Sequence, residues 1–152
     1  MRRASRDSPP TTFHDIAEHD GRSVALYKRA QLAAADVARA GGGHPLTAFP
    51  DLDRLTAFAD NLVPHVLRLE GVLEVDPGLV AQIDCGELLT HGSRGEVEIR
   101  AVGVQAVERL CTELLAMGSP TAPFELDGRL WRRGGAARFK AEPRHRTRCT
   151  AY

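Results

Sequence analysis

Two ionisable residues lie in stretches of this sequence that are otherwise suited to a protein interior. Asp60 ends the largely apolar run LTAFAD at residues 55–60, shortly before Pro64, and Lys28 lies within a long run rich in Ala and Leu. A carboxylate is costly to bury unless cations or hydrogen bonds compensate it, so Asp60 is a candidate for chemistry that uses a fixed negative charge. A solvated Asp at a helix end is the alternative, and the pattern alone leaves both open.

A polar cluster and a serine elsewhere in the chain resemble catalytic or metal sites only superficially. The cluster at residues 14–20 has the residue types of a metal site, but His14 and His19 are five positions apart and not four. We predict a surface turn and a helix cap there, and no metal site. Ser93 lacks the G-x-S-x-G context of a hydrolase nucleophile, so we expect it to cap a helix.

The elements that must position these residues are predicted to be helical throughout. Helix-forming runs bounded by prolines and glycines predict five helices, at residues 22–40, 52–60, 65–69, 78–89 and 94–117. Pro64 is expected to break or kink the chain between the second and third of them. No alternation of strands and helices is visible, so the predicted fold class is all-α.

The longest predicted helix has the clearest start. Ser93 and Glu96 form an S-x-x-E capping box, and Gly118 marks the end. Along this helix Glu96, Glu98 and Arg100 alternate with apolar residues. As a pattern they indicate a cap followed by a solvated face.

Length and composition are those of an ordinary globular domain. The chain has 152 residues, of which 43% are hydrophobic and 26% charged. No apolar run approaches the ~18 residues of a membrane span, and the basic start lacks the apolar core of a signal peptide. The three cysteines are odd in number and far apart, which predicts reduced thiols and a cytoplasmic protein. We expect a disordered leader at residues 1–12 and one helical domain at residues 13–152.

The net charge of zero conceals an uneven distribution. Residues 129–152 carry eight basic side chains and one acidic one, whereas residues 1–128 carry 12 basic and 19 acidic ones. The two parts therefore have net charges of +7 and −7. Such a tail either contacts a polyanion such as RNA or folds back onto the acidic part of the chain.

Seven short strings, in this order, resemble one protein family over nearly the whole chain. They are YKRAQL at 27–32, LTAFAD at 55–60, VPHVLR at 63–68, GVL at 71–73, GS at 92–93, EVEIRA at 96–101 and HRTR at 145–148. Together they resemble the queuosine salvage family, the queuosine 5′-phosphate N-glycosylase/hydrolases. Members of this family are about twice as long, and the resemblance is to their C-terminal half.

The resemblance implies a helical fold related to the DNA glycosylases and a hydrolase that needs no metal or organic cofactor. Its members cleave the bond between queuine, a 7-deazaguanine base, and ribose 5-phosphate, which returns the base to tRNA modification. The family's catalytic carboxylate falls on Asp60, and its active-site lysine falls on Lys28. Lys28 would lower the pKa of Asp60 or hold the 5′-phosphate, while Tyr27 or Phe58 would stack on the base.

The chain also departs from the family pattern. Asn61 and Leu62 replace a Tyr and an Arg, and His65 replaces a Gln, which affects recognition of the base or the phosphate. Because the resemblance is to the C-terminal half of the family, we expect an N-terminal half or a partner chain to complete the protein. Two alternatives follow: an inactive or incomplete fragment of the family, or a helical binding module whose basic tail contacts RNA. Otherwise we expect a small-molecule substrate, no membrane and no direct nucleic-acid binding.

Overall fold

A computed structural model describes residues 13–151, and the predicted leader therefore lies outside the described residues. The helices are α1 (Lys28–Ala40), α2 (Leu62–Leu69), α3 (Pro77–Asp84), α4 (Arg94–Ala116), α5 (Pro123–Arg133) and α6 (Ala137–Lys140). The strands are β1 (Ile16–His19), β2 (Arg22–Ala25), β3 (Leu88–Leu89) and β4 (Arg146–Thr147). No helix in residues 13–151 is long and apolar enough to cross a bilayer.

The chain is mostly helical, but two small sheets make the all-α prediction too strict. β1 and β2 form an antiparallel hairpin in which His19 pairs with Arg22, and β3 pairs in parallel with β4. The hairpin turn is Asp20-Gly21, with φ angles of 49° and 73°. Asp-Gly is the residue pair that such two-residue turns prefer. The helix predicted from residue 22 therefore begins only at residue 28.

The predicted helix at residues 52–60 is also wrong. A single 3-10 turn at Leu52–Arg54 is followed by chain without helix or strand, and residues 57–60 are all buried. Pro64 does not break a helix, because α2 begins at Leu62 and Pro64 occupies its first turn. In the first turn a proline forfeits no intrahelical hydrogen bond.

The predicted starts of α3 and α4 are confirmed, but the helix predicted at residues 78–89 is wrong beyond residue 84, and Leu88–Leu89 form β3 instead. The Asp76 carboxylate accepts hydrogen bonds from the amides of Gly78 and Leu79, and α3 then ends at Asp84. At the start of α4, Ser93 makes no side-chain capping bond, and Glu96 instead accepts from the Gly92 amide at 3.0 Å. The prediction of a solvated face is wrong for Glu96 and Arg100, because both side chains are fully buried.

The core lies where α2 packs against α4 and α5. Val63 and Leu67 of α2 contact Val107 of α4 in one buried cluster, which Leu126 and Leu130 of α5 help to cover. The two helices come close at Gly103 of α4, where a Cβ atom would lie 2.7 Å from Cγ of Pro64. This packing fixes the start of α2, to which Asp60 is joined.

Candidate active site

Residues 57–60, hereafter the 57–60 segment, are buried without belonging to a helix or strand. Side chains from two helices bind their backbone polar groups. The Phe58 amide donates to Asp127 Oδ1 of α5 at 3.0 Å, and the Ala59 carbonyl accepts from Arg100 Nε of α4 at 2.9 Å. Buried backbone groups need such partners. The segment is therefore held in one geometry.

Just before this segment, α1 contributes a third attachment. The Gln31 side-chain amide is paired with Thr56, whose backbone amide donates to Gln31 Oε1 at 2.9 Å. Gln31 Nε2 in turn donates to Thr56 Oγ1 and to the Leu26 carbonyl. The helix that carries Lys28 is thereby tied directly to the run that carries Asp60.

The Asp60 side chain is directed into the protein and is only 7% exposed. Its Oδ1 atom accepts from the amides of Leu62 at 3.0 Å and Val63 at 2.9 Å, which caps the start of α2. Both of these hydrogen bonds use Oδ1, so Oδ2 remains available for a water or a ligand. The solvated alternative that the sequence left open does not apply to the folded chain.

The charge state of Asp60 is set by opposing effects. Burial raises its pKa above the ordinary value, and this effect exceeds the lowering by the Val63 amide, Lys28, the Leu62 amide and Arg144, in that order. Lys28 therefore acts electrostatically on Asp60 and favours its ionised form. The pKa of Asp60 is nevertheless raised overall, because the loss of hydration destabilises the ionised carboxylate more than these neighbours stabilise it.

The other two predicted residues lie within two positions of Lys28 and Asp60 in the sequence and differ in accessibility. Tyr27 is 40% exposed, whereas Phe58 is only 7% exposed. Tyr27 has a left-handed backbone, with φ 47° and ψ 35°, which is uncommon for a bulky residue and marks local strain. Strain of this kind concentrates at functional sites, and here it occurs immediately before Lys28.

An open depression of about 540 Å³ lies beside α1; of the four predicted site residues, Lys28 lines it and Asp60, Tyr27 and Phe58 do not. Lys28 lines it together with Arg29, and the Arg29 guanidinium donates to the Thr150 carbonyl at 2.9 Å. Phe13, Leu32, Asp36 and Cys149 also contribute to its wall. Two adjacent cations in a depression of this size suit an anionic group on a small molecule.

Asp127 is a further buried carboxylate that the sequence analysis missed. It is 3% exposed on α5, and burial together with the charge of Asp60 raises its pKa to about 7, although the Phe58 amide and Lys28 lower it. Near neutral pH it therefore exists in both protonation states and can give or take a proton. The sequence did contain a signal for it. Asp127 lies four positions after Pro123 and three before Leu130, which puts an acidic residue on the apolar face of a helix.

A second cavity, of about 470 Å³, is separate from these residues. Its wall includes His65, Arg68 and His145, with apolar residues of α3 and α4, and none of the four predicted site residues lines it. Burial lowers the pKa of His145 to about 4 and also lowers that of His65, so both rings are neutral at pH 7. His65 Nε2 lies 2.8 Å from the Phe139 carbonyl oxygen, to which it donates.

The polar side chains of residues 14–20 do not form one site, because they bind different partners. Asp15 is buried and pairs with Arg100 at 2.6 Å, and its carboxylate also accepts from the Lys28 amide at 3.1 Å. His19 lies 2.8 Å from Glu98. No group of three or more metal-ligating side chains comes together anywhere in residues 13–151.

Part of the basic tail folds back onto the acidic part of the chain. Glu70, at the end of α2, forms ion pairs with Arg133 at 2.6 Å and with Arg138. Arg138 also stacks 4.5 Å from the centre of the Phe139 ring. Internal pairing, one of the two alternatives for the tail, therefore accounts for these two cations.

Comparison with known proteins gives one consistent result. The family described as "Queuosine salvage protein" matches residues 9–152. Similar proteins named queuosine 5′-phosphate N-glycosylase/hydrolase come from Sphaerobacter thermophilus (40% identity over 141 residues), Dictyostelium discoideum (38% over 140) and Mus musculus (36% over 151). These alignments cover 92–93% of this chain and 44% of each relative. The chain thus spans less than half the length of the relatives it matches.

Proposed function

This chain belongs to the queuosine salvage protein family, and from that membership we propose that it takes part in hydrolysing the N-glycosidic bond of queuosine 5′-monophosphate. The products would be queuine and ribose 5-phosphate. The observation that carries the proposal is the setting of Asp60: it is buried, fixed by two amides through one oxygen, and subject to the positive charge of Lys28. We further propose the DNA-glycosylase relationship of the fold and a cytoplasmic location.

The proposed role of Asp60 follows from how a glycosidic bond breaks. The electron pair of the C1′–N9 bond leaves with the base, and positive charge develops on the sugar. An ionised carboxylate held beside C1′ stabilises that charge without having to reorganise. Water then adds its oxygen to C1′, and its released proton balances the charge on the departing base.

Proton transfer and binding of the 5′-phosphate are assigned to Asp127 and Lys28. With a pKa of about 7, Asp127 can accept the proton of the attacking water or donate one to the leaving base. Lys28 favours the ionised form of Asp60, and together with Arg29 it lines the depression that would receive the 5′-phosphate. Tyr27, the more exposed of the two predicted aromatic residues, is the better placed to stack on the base.

The test is release of free queuine from queuosine 5′-monophosphate by the purified chain. We expect Asp60→Asn to lower kcat by at least about a hundredfold, because its amide carries no charge to stabilise the sugar cation. Lys28→Ala should move the acidic limb of the kcat/KM profile to higher pH. Glu125→Gln, on the exposed side of α5, is the control that should retain activity.

Two results would contradict the proposal. Absence of queuine release by the wild-type chain would favour the inactive-fragment alternative. Equal release by wild type and Asp60→Asn would remove Asp60 from the mechanism.

A further inference from the structure

We propose that the buried ion pair between Asp15 and Arg100 positions Lys28 relative to Asp60. The inference rests on the proposed function only in assigning those two residues to the active site. Asp15 and Arg100 are 85 residues apart, and neither is among the residues predicted from the sequence to form the site. Both act through backbone atoms of other residues, so they are positioning residues and not catalytic ones.

The geometry is a short chain of contacts with Arg100 at its centre. Arg100 Nη2 donates to Asp15 Oδ2 at 2.6 Å, and the same oxygen accepts from the Lys28 amide at 3.1 Å. Arg100 Nε donates to the Ala59 carbonyl at 2.9 Å, one residue before Asp60. One guanidinium therefore connects the first residue of α1 to the 57–60 segment.

Burial makes this connection rigid. Arg100 is fully buried and Asp15 is 5% exposed. A buried ion pair is stable only if its hydrogen bonds are well formed, because removing one partner leaves the other as an uncompensated buried charge. The planar guanidinium also directs its donors in fixed directions. A small displacement at a site of this kind is costly to catalysis.

The matching contact to Glu96 provides an internal control. Arg100 Nη1 donates to Glu96 Oε1 at 3.3 Å, and Glu96 is as fully buried as Arg100. Glu96 also binds the Gly92 amide, but no described contact joins it to Lys28 or to the 57–60 segment. Asp15→Ala and Glu96→Ala thus each remove one carboxylate from the same guanidinium, and only the first releases Lys28.

The first measurement is the titration of Asp60, followed by its carboxyl ¹³C resonance and assigned by its loss in Asp60→Asn. The charged groups that act on Asp60 are Lys28 from α1, Arg144 from the segment after α6, and Asp127 from α5. Removing a distant negative charge should by itself lower the titration midpoint. Moving Lys28 away should raise it.

The two alanine variants should therefore differ in sign. We expect the Asp60 midpoint to move to higher pH in Asp15→Ala and to stay or fall in Glu96→Ala. Asp15→Asn should abolish the upward shift and leave the midpoint at or slightly below the wild-type value, since its amide oxygen can still accept from the Lys28 amide while the negative charge is lost. An unchanged or lowered midpoint in Asp15→Ala, or equal shifts in both alanine variants, would overturn the proposal.

Two further arms keep the test decisive. If Asp15→Ala does not fold, Arg100→Lys replaces it, because an ammonium keeps the charge but cannot span Asp15 and the Ala59 carbonyl. A wild-type midpoint in that variant would count against the proposal. In the activity assay, kcat should fall roughly 10- to 100-fold in Asp15→Ala and remain near wild type in Glu96→Ala. If the wild-type chain releases no queuine, the proposed function fails, while the titration still decides the positioning role.

Discussion

Replacing Asp127 by Asn should stabilise the protein in a manner that depends on pH. The side chain is 3% exposed, and its pKa is raised to about 7 by burial and by the charge of Asp60. Ionised Asp127 is therefore unfavourable in the folded chain at alkaline pH. Asn has nearly the same shape, can still accept from the Phe58 amide, and never ionises.

The size and sign of the effect follow from proton linkage. Between its ordinary pKa of 3.8 and its raised pKa of about 7, the folded chain holds a proton on Asp127 that the unfolded chain has lost. The free energy of unfolding therefore falls as pH rises through this window, by about 1.4 kcal/mol per pH unit and by about 4 kcal/mol in all. Asp127→Asn removes that loss, so its advantage over wild type grows from near zero at pH 4 to its full value above pH 7.

Urea unfolding followed by circular dichroism at pH 4.5, 6 and 8 measures this difference directly. Glu125→Gln removes an exposed carboxylate from the same helix and is the matched control. Comparing variant with wild type at each pH cancels the contribution of His145, which has the opposite sign. A constant difference between Asp127→Asn and wild type across the three pH values would refute the assignment of a raised pKa to Asp127.

The remaining predictions concern stability at three other positions. His145, whose pKa is lowered to about 4 from 6.5, binds more protons in the unfolded chain between these values, so the wild type should lose up to about 3 kcal/mol as pH falls through that window. His145→Gln should reduce this acid sensitivity in urea titrations at pH 7 and 5. Gly103→Ala should destabilise by about 1–3 kcal/mol because the new Cβ meets the rigid ring of Pro64. Gly128→Ala, 3.8 Å from the nearest side chain, should instead stabilise by up to about 1 kcal/mol, and thermal unfolding distinguishes the two.

Local signals in the sequence predicted the elements whose ends are determined locally. Asp76 before a proline predicted the start of α3, and its carboxylate makes the expected bonds. The helical spacing of apolar residues between Ser93 and Gly118 predicted a helix at residues 94–117, and α4 spans Arg94–Ala116. The hairpin was missed although Asp20-Gly21 is a strong turn signal, because the Ala-rich run after it outweighed that pair in the prediction.

The site was predictable only in part, because distant side chains define it. Asp60 was singled out as a carboxylate in apolar surroundings, with a solvated helix end as the alternative; it is buried, and the charge of Lys28 acts on its pKa. The helix predicted at residues 52–60 is absent because Asp127, Arg100 and Gln31 satisfy this backbone from other helices, and no local pattern reveals such bonds. For the same reason, the alternating pattern of residues 96–100 wrongly predicted that Arg100 faces solvent.

The long-range attachment of the 57–60 segment has a consequence for the order of folding. Its hydrogen-bond partners Arg100 and Asp127 lie 41 and 69 residues away along the chain. Contacts of such sequence separation form late, since the intervening loop must close before they contribute. The segment should therefore acquire its shape only as α4 and α5 pack against α2, and not before. In native-state hydrogen exchange, the Phe58 amide should become exposed in the same opening event that separates α5 from α2.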